Sequence, residues 1–463
     1  MRRLSTCFMV SIAVLGWAVA VSQADQVGAP AAASQPANVA EAARAAAKSG
    51  ELCFRLTTPA ELKALLGPPA KAHEENNGNG KALILEYPGV RAIFGRFGEG
   101  APYSLFRVLV DDAPLDIGME RTLTLRRVDD LAKLDAFSGV ANVSLVKLDL
   151  REQLAKLNRL PFDNRTQWPP KDKMPKGFEP AKLLQAGTNP GLGVRKLHEQ
   201  GIDGRGVHIA IIDQPLLRDH REYKDRVVAY EVIDAEGVLP QMHGSPVTSI
   251  AVGKTCGIAP AASVHYYATP MWKWWNEHCK PYSALLDRIV EQNRKLPAGQ
   301  KVRVVSISLG AFSEWPDHEL WVKAVKHAAA EGILVVSCDP ADLRIAILKR
   351  DLAKDPDTAE SYARQMFFGP RDALGVPAGN RATAYFAGPD DYIFWRAGGM
   401  SWTVPYLAGL AALAYQVDPG IKPQAIPDLW TKTASSTAAG LVVNPMAFIA
   451  AVRKAAAAAK TAK

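Results

Sequence analysis

From about residue 207 onward, short β-branched runs alternate with amphipathic helical stretches, and this alternation restricts the fold more than any other feature of the chain. VHIAIID, SVHYYATP, VRVVSISLG and ILVVSC are apolar strand candidates, separated by stretches such as SALLDRIVEQNRKL and ELWVKAVKHAAAEG. Strands bounded by helices in this order predict an α/β fold, a parallel sheet with helices on both faces. Ligands on such sheets bind beyond the carboxyl ends of the strands. At 463 residues there is room for a second, smaller domain, and 48% hydrophobic against 22% charged residues is a globular balance.

The N-terminus reads as an export leader over residues 1–24. Arg2 and Arg3 supply the charged start, CFMVSIAVLGWAVAV the apolar stretch, and Ser22-Gln23-Ala24 a small-residue cleavage site. The expectation is a secreted or periplasmic protein with no membrane association after cleavage, since no other segment has membrane length. The formal charge of +8, or +6 once Arg2 and Arg3 leave, is scattered, which argues against a nucleic-acid partner. Residues 25–48, rich in Ala, Gln, Pro and Gly, read as a flexible linker. Residues 50–150 read as a small α+β domain. TTPAELKALLG carries a capping-box helix start at Thr58 and Glu61 and a stop at Gly67, and VDDLAKLDAF reads as a short helix. KALILEY, VRAIFGRF and SLFRVLV read as strands, as does VSLVKLDL at 143–150. Prolines at 161, 169, 170, 175 and 180 mark residues 151–185 as a linker, and 456–463 is an Ala/Lys tail.

Three polar residues fall where a parallel sheet would gather them. Asp213 closes the strand VHIAIID, His243 precedes the apolar helical segment SPVTSIAVG, and Ser401 opens WTVPYLAGLAALA. An acid, a base and a hydroxyl on one rim have the makings of nucleophilic catalysis. A serine at that position is, on its own, also an ordinary helix cap.

The motifs around these residues resemble those of the subtilisin-like serine proteases, the subtilases. GRGVHIAIIDQPLLRDHREYKDRV, including His220, resembles the aspartate segment; MHGSPVTSIAVG followed by GIAP resembles the histidine segment; GGMSWTVPYLAGLAALA resembles the serine motif, with Gly399, Ser401, Pro405, Ala408 and Gly409 in register. The order Asp, His, Ser is also the family's. The resemblance implies a peptidase domain over residues 186–455, with Ser401 as nucleophile, His243 as base and Asp213 as orienting acid acting on a peptide or protein substrate. It implies that VVSISLG is an edge strand on which the substrate lies, with Ser308, Leu309 and Gly310 at the binding positions. The alternative is a weak or inactive peptide-binding module using strand addition along Val304 to Gly310.

Several positions depart from the family. Met400 stands in place of threonine, Ser245 and Pro246 replace Thr-His, and Trp402 is bulky. Where subtilases carry an oxyanion-binding asparagine in an Ala-Gly-Asn turn, this chain reads SCDPADL, so the candidates become Asp339, which donates only when protonated, and Asn380, which equally suits a Gly-Asn turn. The chemistry requires no cofactor. Calcium is common in the family, but no ligand loop maps residue by residue, and no metal site is assigned. Trp272, Trp274 and Trp275 either line substrate subsites or pack beneath a loop. With the leader's Cys7 removed, Cys53, Cys256, Cys279 and Cys338 remain, and Cys279 with Cys338 is the favoured pair if a disulfide forms. Oligomeric state cannot be read from the sequence.

Overall fold

The computed structural model describes residues 36–461 except 37, 50, 53–56, 77–80, 96–102, 116, 118–125, 129, 132–133, 135–138, 237, 239, 272–273, 275–276, 340–343 and 366–371. The leader, Cys53, Trp272, Trp275 and most of VDDLAKLDAF therefore lie outside the described residues. The chain divides into two compact units between Gly139 and Val140.

The first unit opens with helix α1 (Val39–Ser49), where a linker was expected. Its alanines are the best helix formers available, Asn38 caps the Glu41 amide, and Val39, Ala43 and Ala46 are buried along one side. In helix α2 (Pro59–Leu66) the capping box forms: the Glu61 amide donates to the Thr58 hydroxyl at 3.2 Å and the Thr58 amide to the Glu61 carboxylate at 2.7 Å. A five-stranded antiparallel meander follows: β1 (Lys71–Asn76), β2 (Lys81–Tyr87), β3 (Val90–Gly95), β4 (Ser104–Val110) and β5 (Ala113–Pro114). The strand expected over 143–150 is confined to Val143–Ser144, followed by a turn at 146–147 and irregular chain.

In the second unit, the segment expected as a linker over 151–185 is packed. Phe162, in strand β6 (Phe162–Asp163), is 1% exposed; it stacks on Phe394 at 5.2 Å and meets Trp168 and Phe178 edge-on. The Arg396 guanidinium lies 5.6 Å from the Phe162 ring and 5.0 Å from that of Phe394, and burial pushes its pKa down to about 10. The prolines shape this segment, but the aromatic residues between them anchor it. Phe162→Ala is expected to destabilise the second unit by about 3 kcal/mol, read from urea unfolding. A change below about 0.5 kcal/mol would restore the linker reading.

The core of this unit is a sheet of five parallel strands: β7 (His208–Asp213), β8 (Val227–Val232), β9 (Ser263–Ala268), β10 (Val302–Ile307) and β11 (Leu334–Ser337), in the order β8-β9-β7-β10-β11. Ala210, Ile212, Val305 and Ile307 share an apolar cluster with Leu286, Ile289 and Val290 of helix α3 (Lys280–Lys295) and Trp321, Ala324 and Ala328 of helix α4 (His318–Ala330). Asp317 caps α3 through the amides of Cys279 and Lys280. Two further helices matter for the site. Helix α5 (Gly244–Val252) packs against helix α6 (Met400–Val417), which also packs on β10. Trp402 through Tyr415 of α6 are all buried. A Cβ on Gly409 would sit 2.5 Å from that of Ile258, so glycine permits this approach.

Because β10 lies between β7 and β11, the expectation of an edge strand at VVSISLG is corrected. Val304 to Ile307 pair with β7 on one side and β11 on the other, leaving no free ladder for strand addition there. Only Ser308, Leu309 and Gly310 continue beyond the strand, and the Leu309 carbonyl accepts the Cys338 amide at 2.9 Å.

Candidate functional site

Asp213 is the last residue of β7, aligned with Ala268 of β9, and its carboxylate is fully buried. One oxygen accepts the Gln214 amide at 2.7 Å, and the two lie 2.8 and 2.9 Å from His243 Nδ1. A carboxylate accepts only, so Nδ1 carries the proton it shares with Asp213, and Nε2 is the ring nitrogen left for proton transfer. His243 stands just ahead of α5, and its amide donates to the Gln214 side chain at 3.3 Å. Gly244 must be small, because a Cβ there would approach the Tyr266 hydroxyl and the Gln214 carbonyl within 2.5 and 2.6 Å.

Ser401 is the second residue of α6, after the N-cap Gly399. Pro405 lies in the second turn rather than the first, so its missing N–H orphans the Ser401 carbonyl four residues back. Ser308 fills the gap: its hydroxyl donates to the Ser401 carbonyl at 2.9 Å, while the Ser401 hydroxyl donates to the Ser308 carbonyl at a long 3.4 Å. Among the described residues no hydrogen bond joins His243 to Ser401. The Trp402 ring lies 5.1 Å from that of His243 and 5.4 Å from that of Trp395, and its buried Nε1 has no partner among the described residues.

The two oxyanion candidates stand in different surroundings. Asp339 is 3% exposed, with its carboxylate 3.5 Å from His318 Nε2 at the start of α4, where negative charge is favoured. Asn380 adopts φ of 52° in the turn between β14 (Leu374–Gly379) and the next strand, Arg381–Ala384, and its amide donates to the Arg350 carbonyl at 2.7 Å. The turn reading of Asn380 accounts for this geometry.

Other expectations are settled by packing. His220 is fully buried, with Nε2 donating to the Asp391 carbonyl and Nδ1 accepting the Glu222 amide, and burial lowers its pKa. Trp274 is buried against Tyr282 rather than lining an open cleft. Cys256, Cys279 and Cys338 are free thiols, which corrects the favoured pairing of Cys279 with Cys338. Burial raises the Cys338 thiol and pushes that of Cys279 up to about 12, so neither forms a reactive thiolate near neutral pH.

A buried acid oriented on an imidazole at the carboxyl edge of a parallel α/β sheet, with a serine at a helix start, makes this rim the candidate site of the second unit. Residues 204–339 match the model of the subtilase family, Peptidase S8. The matched segment contains Asp213 and His243 and ends before Ser401. The subtilisin-like protease PopC of Myxococcus xanthus (strain DK1622) is 27% identical over 130 residues, 26% of this chain and 27% of that protein, so the match spans about a quarter of that relative's length. Among solved structures, one describing subtilase cytotoxin SubAB assembly aligns with 57% of this chain and 96% of its own at 13% identity and a TM-score of 0.46. Fervidolysin from Fervidobacterium pennivorans, a keratinolytic enzyme related to subtilisin, aligns with 57% of this chain and 45% of its own at 16% identity and a TM-score of 0.44. No helix among the described residues is long and apolar enough to cross a membrane.

Proposed function

We propose that the chain is an exported serine endopeptidase in which Ser401 attacks a peptide carbonyl, His243 Nε2 takes the hydroxyl proton, and Asp213 holds the imidazole in the Nδ1–H tautomer. The observation that carries this reading is the Asp213–His243 pair, in which a buried carboxylate leaves the basic nitrogen free. The Ser401 hydroxyl engages the base by rotating away from the Ser308 carbonyl, and the long bond it gives up is weak. The tetrahedral intermediate then collapses to an acyl-enzyme as His243 returns the proton to the leaving amine, and water releases the acyl group by the same steps in reverse. The Ser401 amide, at the second position of α6, is the donor we assign to the developing oxyanion. The leader read at residues 1–24 is the basis for export.

A fluorophosphonate probe tests the assignment. Labelling of the wild type and none of Ser401→Ala is the expected result. Folded wild-type protein that stays unlabelled from acid to alkaline pH would instead favour a binding module, and comparing peptide with ester substrates separates a peptidase from an esterase.

A further inference from the structure

Gln365 makes a two-point contact with the backbone that leads into Ser401. Its Nε2 donates to the Gly398 carbonyl at 2.9 Å, and its Oε1 accepts the Gly398 amide at 3.3 Å, so one side-chain amide grips both polar groups of a single residue. Gly398 precedes the N-cap Gly399, three residues before Ser401. The gripping side chain is itself anchored, since the Gln365 amide donates to the Ile347 carbonyl at 2.8 Å on strand β12 (Ile345–Arg350). One glycine makes room for this side chain and another for the turn it grips. A Cβ on Gly379 would collide with Gln365 Oε1, and a Cβ on Gly398 would collide with the Ala378 carbonyl. The turn thus rests on Ala378 of β14 and is held by Gln365.

We propose that Gln365 is a positioning residue for the reaction: by fixing the Gly398 peptide it sets where α6 begins and so where the Ser401 hydroxyl stands relative to His243. This rests on the serine peptidase reading. Loops that connect a strand to a nucleophile are free to shift unless their peptides are tied, and displacement of a reacting group by about 1 Å costs as much as 10²-fold in rate. Ser308 ties the turn from the helix side through the Ser401 carbonyl, and Gln365 ties it from the strand side.

The test pairs a chemical readout with one that needs no chemistry. Gln365→Ala and Gln365→Met are compared with the wild type; methionine keeps the volume and removes both hydrogen bonds. Fluorophosphonate labelling of Ser401 is expected to slow by about tenfold in both variants, and hydrogen exchange in a peptide spanning residues 396–401 is expected to speed up. Methionine restoring wild-type labelling would overturn the proposal in favour of space filling. Unchanged exchange, or faster exchange with unchanged labelling, would also overturn it. If the wild type itself is not labelled, the reading of Ser401 as nucleophile fails, and the positioning role fails with it; the exchange measurement distinguishes this case by reporting the grip on Gly398 independently.

Discussion

Asp213→Asn is expected to slow acylation of Ser401 by about 10⁴-fold while leaving the protein folded. The wild-type carboxylate accepts from the Gln214 amide and from His243 Nδ1 at once, and its full burial leaves no water to replace either contact. An asparagine has one acceptor oxygen and one NH₂ group. If the oxygen faces the Gln214 amide, the NH₂ faces Nδ1 and drives the ring to its other tautomer, with the proton on Nε2. That ring cannot take a proton from Ser401. If the oxygen faces Nδ1 instead, an NH₂ is set against the Gln214 N–H, and the pair is strained by two opposed donors. Burst kinetics with an activated ester, with folding followed by circular dichroism, read the effect. A loss below tenfold would mean that Asp213 packs beneath His243 without governing its tautomer.

What the sequence discloses about this site follows from where strands and helices end. Asp213, His243 and Ser401 stood out because each terminates or begins a segment whose periodicity is readable locally, and the sheet's own geometry brings such ends together. The order of strands is not local. VVSISLG has the same apolar pattern whether it lies at an edge or between two neighbours, and only the pairings with β7 and β11 decide that it is internal. The contacts that support Ser401 are equally non-local: Ser308 reaches it across 93 positions, and Gln365 reaches Gly398 across 33. A proline four residues after Ser401 announces an orphan carbonyl, and some donor had to be found for it. The segment around Phe162 misled for the opposite reason. Its prolines are a strong local cue for a linker, whereas Phe162, which Trp168 and Phe178 meet edge-on, is buried against Phe394 far along the chain.

Glu222 carries the second large effect. It is 2% exposed and accepts from the Thr255 amide at 2.8 Å, the Thr255 hydroxyl at 2.6 Å, the Cys256 amide at 3.4 Å and the Tyr392 hydroxyl. Thr255 and Cys256 follow α5, while the neighbouring Tyr223 hydroxyl reaches Ser245 in its first turn at 2.9 Å. Residues 222 and 223 therefore hold both ends of the helix that His243 precedes. Glu222→Ala leaves the Cys256 amide and the Tyr392 hydroxyl buried without this acceptor, and a loss on the order of 4 kcal/mol is expected. Burial alone would raise the carboxyl's pKa, but the Thr255 and Tyr392 hydrogen bonds outweigh it and hold the group below its ordinary value. A depressed folded value means that the ionised group stabilises the fold above the unfolded carboxyl's pKa of about 4.3, and that this contribution is lost as pH falls toward the folded value. The stability gap between wild type and Glu222→Gln, which cannot ionise, should accordingly be constant from pH 7 to about 5 and narrow below that. Urea unfolding of the two proteins across this range measures it. A gap that stays constant down to pH 3 would show that the folded protein binds this carboxylate no better than the unfolded chain does.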